Sequence, residues 1–464
     1  MVSSPLTGPG AIVSLVILGI ILILRTTRFT LNQVGRARYR PASPQPNRTA
    51  TANNCSVILP IMYPHDPNLE DCAHSILANF PAHLYIVTVG VEARNQVEGK
   101  LGHLRALYGA TQINVGAVNK ANKRRQIAHA LSNISTSVTA ITDQGVYWPK
   151  TFLGSALLPF DDINVAAVSV PKLARKPVPK HAWGSFWACL ISCYHALSAD
   201  ENRAVNALDH SALFGGSTVL FRTYHCATEE FKRKFENETC FFGRSGVLKE
   251  DEHCFLNRHF LQHACDVAFQ DTPEATIQVD QGSILEFMGE YLRTTRNTWR
   301  LSISMLTHET LMIHPLGCFL TWLSSLVSFT ILTDALIIIL MYYNGIFDET
   351  LVLWLGVGIS LLIVQLLVAL QVVMRVRRSG GKFNWLTILM CIILSFPAQY
   401  ALELLRVVAL LTFWKGKTED CKPLDLEQRG ERHEPPWIWG FMEMIDTPPP
   451  SWDPESENPI FTVE

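Results

Sequence analysis

Apolar residues concentrate in four long blocks, and the stretch between the first and second blocks has the mixed pattern of a folded domain. Residues 1–24 carry no charge, and the other blocks run over 317–343, 351–374 and 385–414. The last three exceed the ~20 residues that a helix needs to cross a bilayer. The pattern predicts an N-terminal transmembrane anchor over residues 1–25 and three transmembrane helices within 317–414.

The first block could also be a cleaved signal peptide. Such a peptide has a basic segment before its apolar run and a small-residue cleavage site after it. Neither feature accompanies the apolar run Ala11–Leu24. An uncleaved anchor is therefore the favoured interpretation.

The charges between the blocks predict how the helices are threaded, because Lys and Arg stay on the cytoplasmic side. Five arginines follow the first block, two acidic residues separate the second from the third, and four basic residues separate the third from the fourth. We therefore expect the N-terminus and the C-terminal tail outside the cytoplasm or in a lumen, and the central domain in the cytoplasm. These charges are Arg25, Arg28, Arg36, Arg38 and Arg40, then Asp348 and Glu349, then Arg375, Arg377, Arg378 and Lys382.

Composition agrees with an integral membrane protein of the plasma membrane or the Golgi and other endomembranes. Hydrophobic residues make up 48% of the 464 residues and charged residues 17%, against about 25% charged in soluble domains. The net charge of −2 gives no basic field for nucleic acid. A lipid bilayer is thus an expected partner, and nucleic acid is not.

The chain divides into segments by composition. Residues 26–54 are expected to be a basic and then polar linker, and 55–280 one α/β domain. Residues 281–316 are expected to form amphipathic helices at the membrane interface, and 415–464 a flexible tail rich in Pro and acidic residues.

Strands and helices alternate in the central domain, which predicts a parallel sheet covered on both faces. Cys55–Met62, Leu84–Val89 and Val138–Thr142 are predicted strands, and Leu69–Leu77 is a predicted helix. Asp143 comes directly after the third of these strands. Ligands bind at the carboxyl ends of the strands in such sheets, so Asp143 is a candidate ligand for Mg or Mn. The alternative is an Asp in an ordinary turn.

Three other charged segments each allow a functional and a structural interpretation. The basic run Lys123–Arg125 could bind a diphosphate or be a solvated helix face. In the segment Lys249–His253, a carboxylate could act as a general base, or the charged residues could complement a helix dipole. Arg293, Arg296 and Arg300 share one helical face, which could bind phosphate or anionic lipid.

The order and spacing of these segments resemble the processive family 2 glycosyltransferases, in particular the fungal capsule-polysaccharide and hyaluronan-synthase-like membrane proteins. The resemblance extends from about residue 55 to Trp414. It lies in VILP (57–60), NKRRQ (122–126), DQGVYWP (143–149), GGSTVLFRT (215–223), EDEHCFLNR (250–258) and EYLRTTRNTWR (290–300).

The resemblance implies a GT-A type nucleotide-sugar transferase domain that feeds a transmembrane bundle. The enzyme would transfer a sugar from a UDP-sugar, with inversion, to a growing capsule or cell-wall polysaccharide, and could extrude the product through its own helices. Asp143 matches the metal and diphosphate aspartate, and Asp251 or Glu252 matches the catalytic base. Donor-diphosphate contacts are implied for Lys123, Arg124, Arg125, Arg293 and Arg296, and acceptor contacts for Gly215, Gly216, Ser217 and Thr218.

Two departures from the family pattern leave a second hypothesis open. The paired aspartates of the family are here Asp143 and Gln144, followed by Gly145, so one carboxylate is missing. The tryptophan expected after Arg293 is Thr294. The alternative is a catalytically degenerate membrane protein that keeps the glycosyltransferase fold as a scaffold or partner subunit.

Ionisable residues inside the apolar blocks predict contacts between helices, because such groups are costly in lipid. One hypothesis pairs Asp334 with Arg406 across the bundle. The other pairs Glu403 with Arg406 on one helix.

Overall fold

A computed structural model describes most of the central domain and parts of the apolar blocks. The third apolar block except residues 370 and 373, the charged loops on either side of it and the C-terminal tail lie outside the described residues. The described residues are 9–46, 48–175, 182–238, 248, 251–280, 284–305, 308–327, 330–343, 370, 373 and 385–413.

A seven-stranded mixed sheet forms the centre of the domain, and its first four strands run parallel. The predicted strands over 55–62, 84–89 and 138–142 are confirmed within two residues at each end. The strand order is β3-β2-β1-β4-β8-β6-β9, with β8 antiparallel to both of its neighbours. The strands are β1 (Cys55–Pro60), β2 (His83–Val89), β3 (Gln112–Val118), β4 (Val138–Thr142), β6 (Val165–Ser169), β8 (Thr218–Arg222) and β9 (Asp266–Phe269).

Both faces of this sheet are buried under helices, as the α/β prediction requires. Alternate residues of one strand point to opposite faces, so Val57 and Leu59 enter one core cluster while Ile58 enters the other. Nearly continuous apolar strands are typical of sheets buried on both sides. The helices are α2 (Leu69–Leu77), α3 (Val91–Leu107), α4 (Lys123–Leu131), α5 (Phe152–Ala156), α7 (Glu229–Glu236) and α8 (Glu252–Gln262).

A small second sheet lies beyond the carboxyl end of β4. Its strand order is β5-β10-β7, with β10 antiparallel to β5 and parallel to β7. The strands are β5 (Val146–Tyr147), β7 (Lys172–Ala174) and β10 (Ile277–Val279). The turn between β4 and β5 therefore lies where the two sheets meet.

The first helix is longer than the sequence predicts, so residues 26–38 are not a linker. The helix α1 (Pro9–Arg38) continues without interruption and packs on α6 (Ala182–Asp209). A Cβ atom on Gly35 would lie 2.6 Å from the Ala204 Cα, so the glycine permits close packing of the two helices. Arg28 pairs with Glu201 at 2.5 Å and Arg36 with Asp200 at 3.7 Å. These contacts use the basic residues that the sequence pattern assigns to a linker.

The described segments that follow the domain are mostly helical. Among the described residues, one helix is long and apolar enough to cross a membrane, the part of α1 over Ile12–Arg38, and 6% of its most apolar window is buried. A transmembrane bundle therefore stays a prediction. The helices that follow the domain are α9 (Ile284–Ser304), α10 (His308–Ile313), α11 (Pro315–Val327), α12 (Thr330–Tyr343) and α13 (Trp385–Leu411).

Asp334 pairs with the first helix and not with Arg406. The Asp334 Oδ1 lies 2.6 Å from the Arg25 Nη1, and the Tyr400 hydroxyl donates to Asp334 Oδ2 at 3.3 Å. The Arg406 Nε donates to the Tyr291 hydroxyl at 2.6 Å. The hypothesis of an Asp334–Arg406 pair is therefore wrong, because each residue binds a different partner.

The end of α13 contacts the central domain. Arg296 donates to the Thr412 hydroxyl at 3.1 Å, and Arg300 donates to the Phe413 carbonyl at 3.2 Å. Cations near the last carbonyls of a helix are favoured by its dipole. The tail that follows lies outside the described residues, and its predicted position outside the cytoplasm or in a lumen stays a prediction.

Candidate active site

Asp143 lies at the carboxyl edge of the main sheet, as predicted. It follows the last residue of β4, and its backbone N–H donates to the Ser217 carbonyl at 3.0 Å. Gly145 has φ +80°, a conformation that glycine adopts without steric cost, and it turns the chain into β5. The edge of the sheet thus presents the Asp143 carboxylate between the two sheets.

Lys123 brings a positive charge to this carboxylate. It is the first residue of α4, whose start is capped by the Asn122 side chain accepting from the backbone N–H groups of Arg124 and Arg125. The Lys123 Nζ lies 2.7 Å from the Asp143 Oδ1 and also forms an ion pair with Glu252. The ammonium therefore bridges two carboxylates from different helices and loops.

Glu252 is the first residue of α8 and is 2% exposed. Its Oε1 lies 3.0 Å from the His253 Nε2. Burial alone would raise the pKa of Glu252, but the Lys123 ammonium and then His253 outweigh it and hold this pKa well below its usual range. Burial would likewise lower the pKa of Lys123, but Asp143 and Glu252 raise it. Both groups are therefore charged at neutral pH.

One cluster in the described part of the chain brings three potential metal ligands together. Ligand atoms of Asp143, Glu252 and His253 all lie within 4.8 Å of one another. The Asp143 Oδ1 also lies 2.7 Å from the Lys123 Nζ. Two carboxylates and an imidazole are a donor set that suits Mn or another divalent cation.

The glycine-rich loop, residues 215–218, lies on another side of this cluster. Gly216 has φ +79° and Ser217 φ 73°, and a Cβ on Gly216 would lie 3.8 Å from the His253 Cδ2. The Thr218 hydroxyl is hydrogen-bonded to the Thr142 hydroxyl at 2.9 Å beneath the loop. The predicted loop residues thus adjoin Asp143 and His253, with Thr218 in a supporting and buried position.

The Asp251 carboxylate binds two residues of α9. It has φ 68°, Asn297 donates to its Oδ1, and the Arg300 Nη1 lies 2.9 Å from its Oδ2. Both oxygens therefore have partners within the fold. Of the two predicted bases, only Glu252 lies in the cluster with Asp143 and Lys123.

Arg124 is a structural residue, which corrects its predicted role in donor binding. Its side chain is fully buried, pairs with Glu238 and donates to the backbone carbonyls of Phe235 and Asp251. It has no exposed surface from which to bind a diphosphate. Arg125, the next residue, is half-buried.

The two predicted arginines of α9 have different surroundings. Arg296 binds the end of α13, as described above. Arg293 lies near Lys172, the first residue of β7: burial lowers the Lys172 pKa, Glu290 and Asp143 raise it, and Arg293 lowers it further. Arg293, Lys172 and Asp143 thus share one polar region between the small sheet and α9.

Sequence reasoning missed His253 and Lys172 as site residues. His253 stands inside the acidic segment that the sequence analysis singles out, so its position was the available signal. Lys172 stands in an unremarkable strand and gives no such signal.

Known proteins resemble this chain in sequence. No family model matches it. A type 2 glycosyltransferase of Zymoseptoria tritici is 26% identical over 297 residues, 62% of this chain and 59% of the relative. A type 2 glycosyltransferase of Gibberella zeae is 25% identical, over 63% of this chain and 55% of the relative. The chain thus matches little more than half the length of these curated relatives.

A solved structure shares the fold. The mannosyltransferase PcManGT from Pyrobaculum calidifontis, determined with GDP-Man and Mn2+, superposes with a TM-score of 0.50 at 12% identity, covering 85% of this chain and 99% of that one. The predicted α/β fold with a parallel sheet is thereby confirmed, and it resembles the fold of this glycosyltransferase. The relatives bear out the predicted similarity to type 2 glycosyltransferases, while the processive and hyaluronan-synthase-like features stay predictions.

Proposed function

We propose that this chain is a membrane-associated inverting glycosyltransferase that moves a sugar from a nucleoside diphosphate to an acceptor hydroxyl. The observation that carries the proposal is the cluster of Lys123, Asp143, Glu252 and His253 at the carboxyl edge of the sheet. Ligands bind at this edge in α/β folds. The type 2 glycosyltransferase relatives support the same chemistry.

The basic residues around the cluster suit a diphosphate. Lys123 and Arg125 lie at the start of α4, where backbone N–H groups and the helix dipole also favour an anion. Lys172 adds a basic group close enough to interact electrostatically with Asp143 and Arg293. Sugar transfer needs stabilisation of the negative charge that develops on the leaving diphosphate. We infer a UDP-sugar as the donor.

Asp143 is the residue that would hold a divalent cation. Mg²⁺ and its relatives are usually bound through one or two carboxylates together with substrate phosphates, and the Asp143 carboxylate lies within 4.8 Å of ligand atoms of Glu252 and His253. Mg or Mn bound there would neutralise charge on the leaving group. The Mn2+ in the complex of the mannosyltransferase supports this assignment.

The acceptor is proposed to be a growing polysaccharide that enters beside the glycine-rich loop. α6 and α9 pack against α13, and Arg300 of α9 binds Asp251, the residue before Glu252 of the cluster. Processive elongation and extrusion through these helices would make use of this proximity. The exposed apolar side chains of α1, such as Ile12, Val16 and Ile23, support attachment to a bilayer.

A catalytically silent scaffold is the second candidate, and one observation favours it. Gln144 takes a position that resembles a metal aspartate in the family, and its amide is bound to Tyr63 and Asp66. The Lys123 ammonium already pairs with both Asp143 and Glu252 without any ligand. A scaffold would retain this stable cluster and need no turnover.

Release of nucleoside diphosphate separates the two functions. Full-length protein in nanodiscs would be supplied with UDP- and GDP-sugars and Mn or Mg. We expect release by the wild type and at least ~100-fold less by Asp143→Asn, an isosteric change that removes the charge. His263→Gln, at the exposed end of α8, is the matched control. No release from any donor by a folded wild type would favour the scaffold.

A further inference from the structure

The side chain of Gln144 connects two loops at the carboxyl edge of the sheet. We propose, on the basis of the glycosyltransferase function above, that Gln144 is a positioning residue for the donor nucleotide. Its amide holds the loop after β1, residues 61–66, at a fixed distance from Asp143, and the donor binds between the two. Gln144 then acts on the affinity for the donor and not on the chemical step.

The Gln144 amide binds this loop as a neighbouring strand would. The Tyr63 backbone N–H donates to the Gln144 Oε1 at 3.2 Å, and the Gln144 Nε2 donates to the Tyr63 carbonyl at 2.8 Å. The Nε2 also donates to the Asp66 Oδ2 at 3.0 Å. A glutamine amide has one acceptor oxygen and two donor hydrogens. A carboxylate could not make this set of bonds, because it has no N–H to donate.

The loop after β1 lies at the edge where the donor is expected. In the sheet, β1 lies between β2 and β4 and runs parallel to both. The loop and the turn that carries Asp143 therefore leave neighbouring strands at the same edge, where ligands bind in α/β folds. The loop presents the Tyr63 side chain, which is 47% exposed. A donor whose diphosphate lies near Asp143 thus has this loop beside it.

Other side chains fix the loop to the helices. The Gln126 Nε2 of α4 donates to the Ile61 carbonyl at 3.0 Å, and the Lys100 Nζ of α3 donates to the Pro64 carbonyl at 2.9 Å. These bonds hold the loop from α4 and α3, whereas the bonds of Gln144 join it to the turn between β4 and β5. A binding loop that is ordered before the ligand arrives gives higher affinity, because less conformational freedom is lost on binding.

Gln144→Glu tests this role with almost no change in shape. The new carboxylate can still accept from the Tyr63 N–H, but it faces the Tyr63 carbonyl without a proton to donate. It also faces the Asp66 carboxylate, and like charges at this distance repel. Gln112→Glu is the matched control, because it makes the same change at the exposed first residue of β3, on the opposite edge of the sheet.

Binding and turnover would be measured on the full-length protein in nanodiscs. We expect Gln144→Glu to raise the Kd of UDP, with and without Mn, and the KM of the UDP-sugar that the wild type uses fastest by ~10-fold. We expect kcat to stay within ~3-fold of the wild type, and Gln112→Glu to change neither constant. Unchanged Kd and KM, or a fall in kcat alone, would overturn the proposal. So would a lower Mn concentration for half-maximal activity, because position 144 would then be a metal position.

A double variant separates this role from a folding defect. Adding Asp66→Asn to Gln144→Glu exchanges the donor and the acceptor of their contact, and the remaining amide oxygen can still accept from the Asn68 N–H, which lies 2.8 Å from the Asp66 Oδ1. We expect at least ~3-fold of the lost UDP affinity to return, since residues in contact are energetically coupled. No recovery in a folded double variant contradicts the proposal. The proposed function fails separately, because in that case the wild type releases no nucleoside diphosphate from any donor.

Discussion

Arg124 is a charged residue whose buried side chain stabilises the fold. It lies between Lys123 and Arg125, and successive residues on a helix point in directions ~100° apart. Lys123 therefore faces the site, Arg124 faces the core and Arg125 is half-buried. The sequence alone cannot tell which residue takes which position, because the rotation of α4 about its axis is set by its packing against the sheet.

Arg124→Met should destabilise the protein and affect the donor only indirectly. The change removes one partner of a buried ion pair with Glu238 and leaves the Phe235 carbonyl without its donor. We expect the free energy of unfolding to fall by ~3 kcal/mol, measured by urea denaturation. Arg125→Met, at the half-buried neighbour, should cost less than ~1 kcal/mol. Equal losses would contradict the structural role of Arg124.

His259 should make stability depend on mildly acidic pH. It packs against Phe231 with ring centroids 4.7 Å apart. Burial first, and then the charges of His263, His225 and Lys234, lower its pKa from 6.5 to about 4. Between these values the unfolded chain binds the proton and the folded chain does not. The free energy of unfolding therefore falls as the pH falls from ~6.5 to ~4, by ~1–3 kcal/mol for this group.

Urea denaturation at pH 7 and pH 5 checks this effect. The wild type should lose more stability between these two values than His259→Gln, which has no titrating group at that position. Parallel losses in the two proteins would show that His259 is not responsible.

At the scale of elements, sequence patterns predict the bounds of those helices and strands that local interactions determine. The helix Leu69–Leu77 and the strand Val138–Thr142 have the bounds that periodicity and turn residues indicate. The end of α1 differs from the bound that the sequence pattern indicates. Residues 26–38 are largely polar and are helical where they pack against α6. The acidic residues of α6 with which they pair lie more than 160 positions away in the sequence. The same limit applies to the site. Asp143 follows from its strand, whereas its contact with Lys123 and the place of His253 depend on how α4 and α8 pack.

Gly35→Ala should disrupt the close packing of α1 against α6. The added Cβ would meet Ala204 at 2.6 Å from its Cα and 2.8 Å from its carbonyl oxygen, backbone atoms that cannot rotate away. We expect a loss of ~1–3 kcal/mol and faster proteolysis after residue 38. Gly19→Ala is the matched control in the same helix, because nothing lies within 4 Å of the new Cβ. Its effect should be neutral or stabilising, and equal effects would contradict the packing.

At the scale of the molecule, the site and the C-terminal helices form one connected structure. Asp251 binds Arg300 of α9, and Arg300 binds the carbonyl of Phe413 beyond α13. Asp251, the residue before Glu252 of the cluster, is thus two contacts away from the end of a helix predicted to lie in the membrane.

The contact between α13 and the domain leads us to propose a topology that differs from the one the charge pattern predicts. Arginines after the first apolar block favour a cytoplasmic domain, and the end of α13 lies against that domain. We therefore expect the C-terminal tail in the cytoplasm, with the N-terminus on the other side. A glycosylation sequon fused to the N-terminus should receive a glycan in a eukaryotic host, because the acceptor motif is modified only on the luminal side. The same sequon fused after Glu464 should remain unmodified.

The natural sequons of the domain provide the internal control. Asn133 and Asn237 each begin an N-x-S/T motif, and Asn133 is exposed, so lumenal exposure of the domain would glycosylate it. We expect no shift in mass on glycosidase treatment of the unfused protein. A glycan at Asn133 would invert the whole arrangement and remove access to cytosolic nucleotide sugars. A glycan at the C-terminal fusion alone would show that α13 crosses the bilayer away from the domain, as the loop charges predict, and that its contact with Arg300 does not form in the membrane.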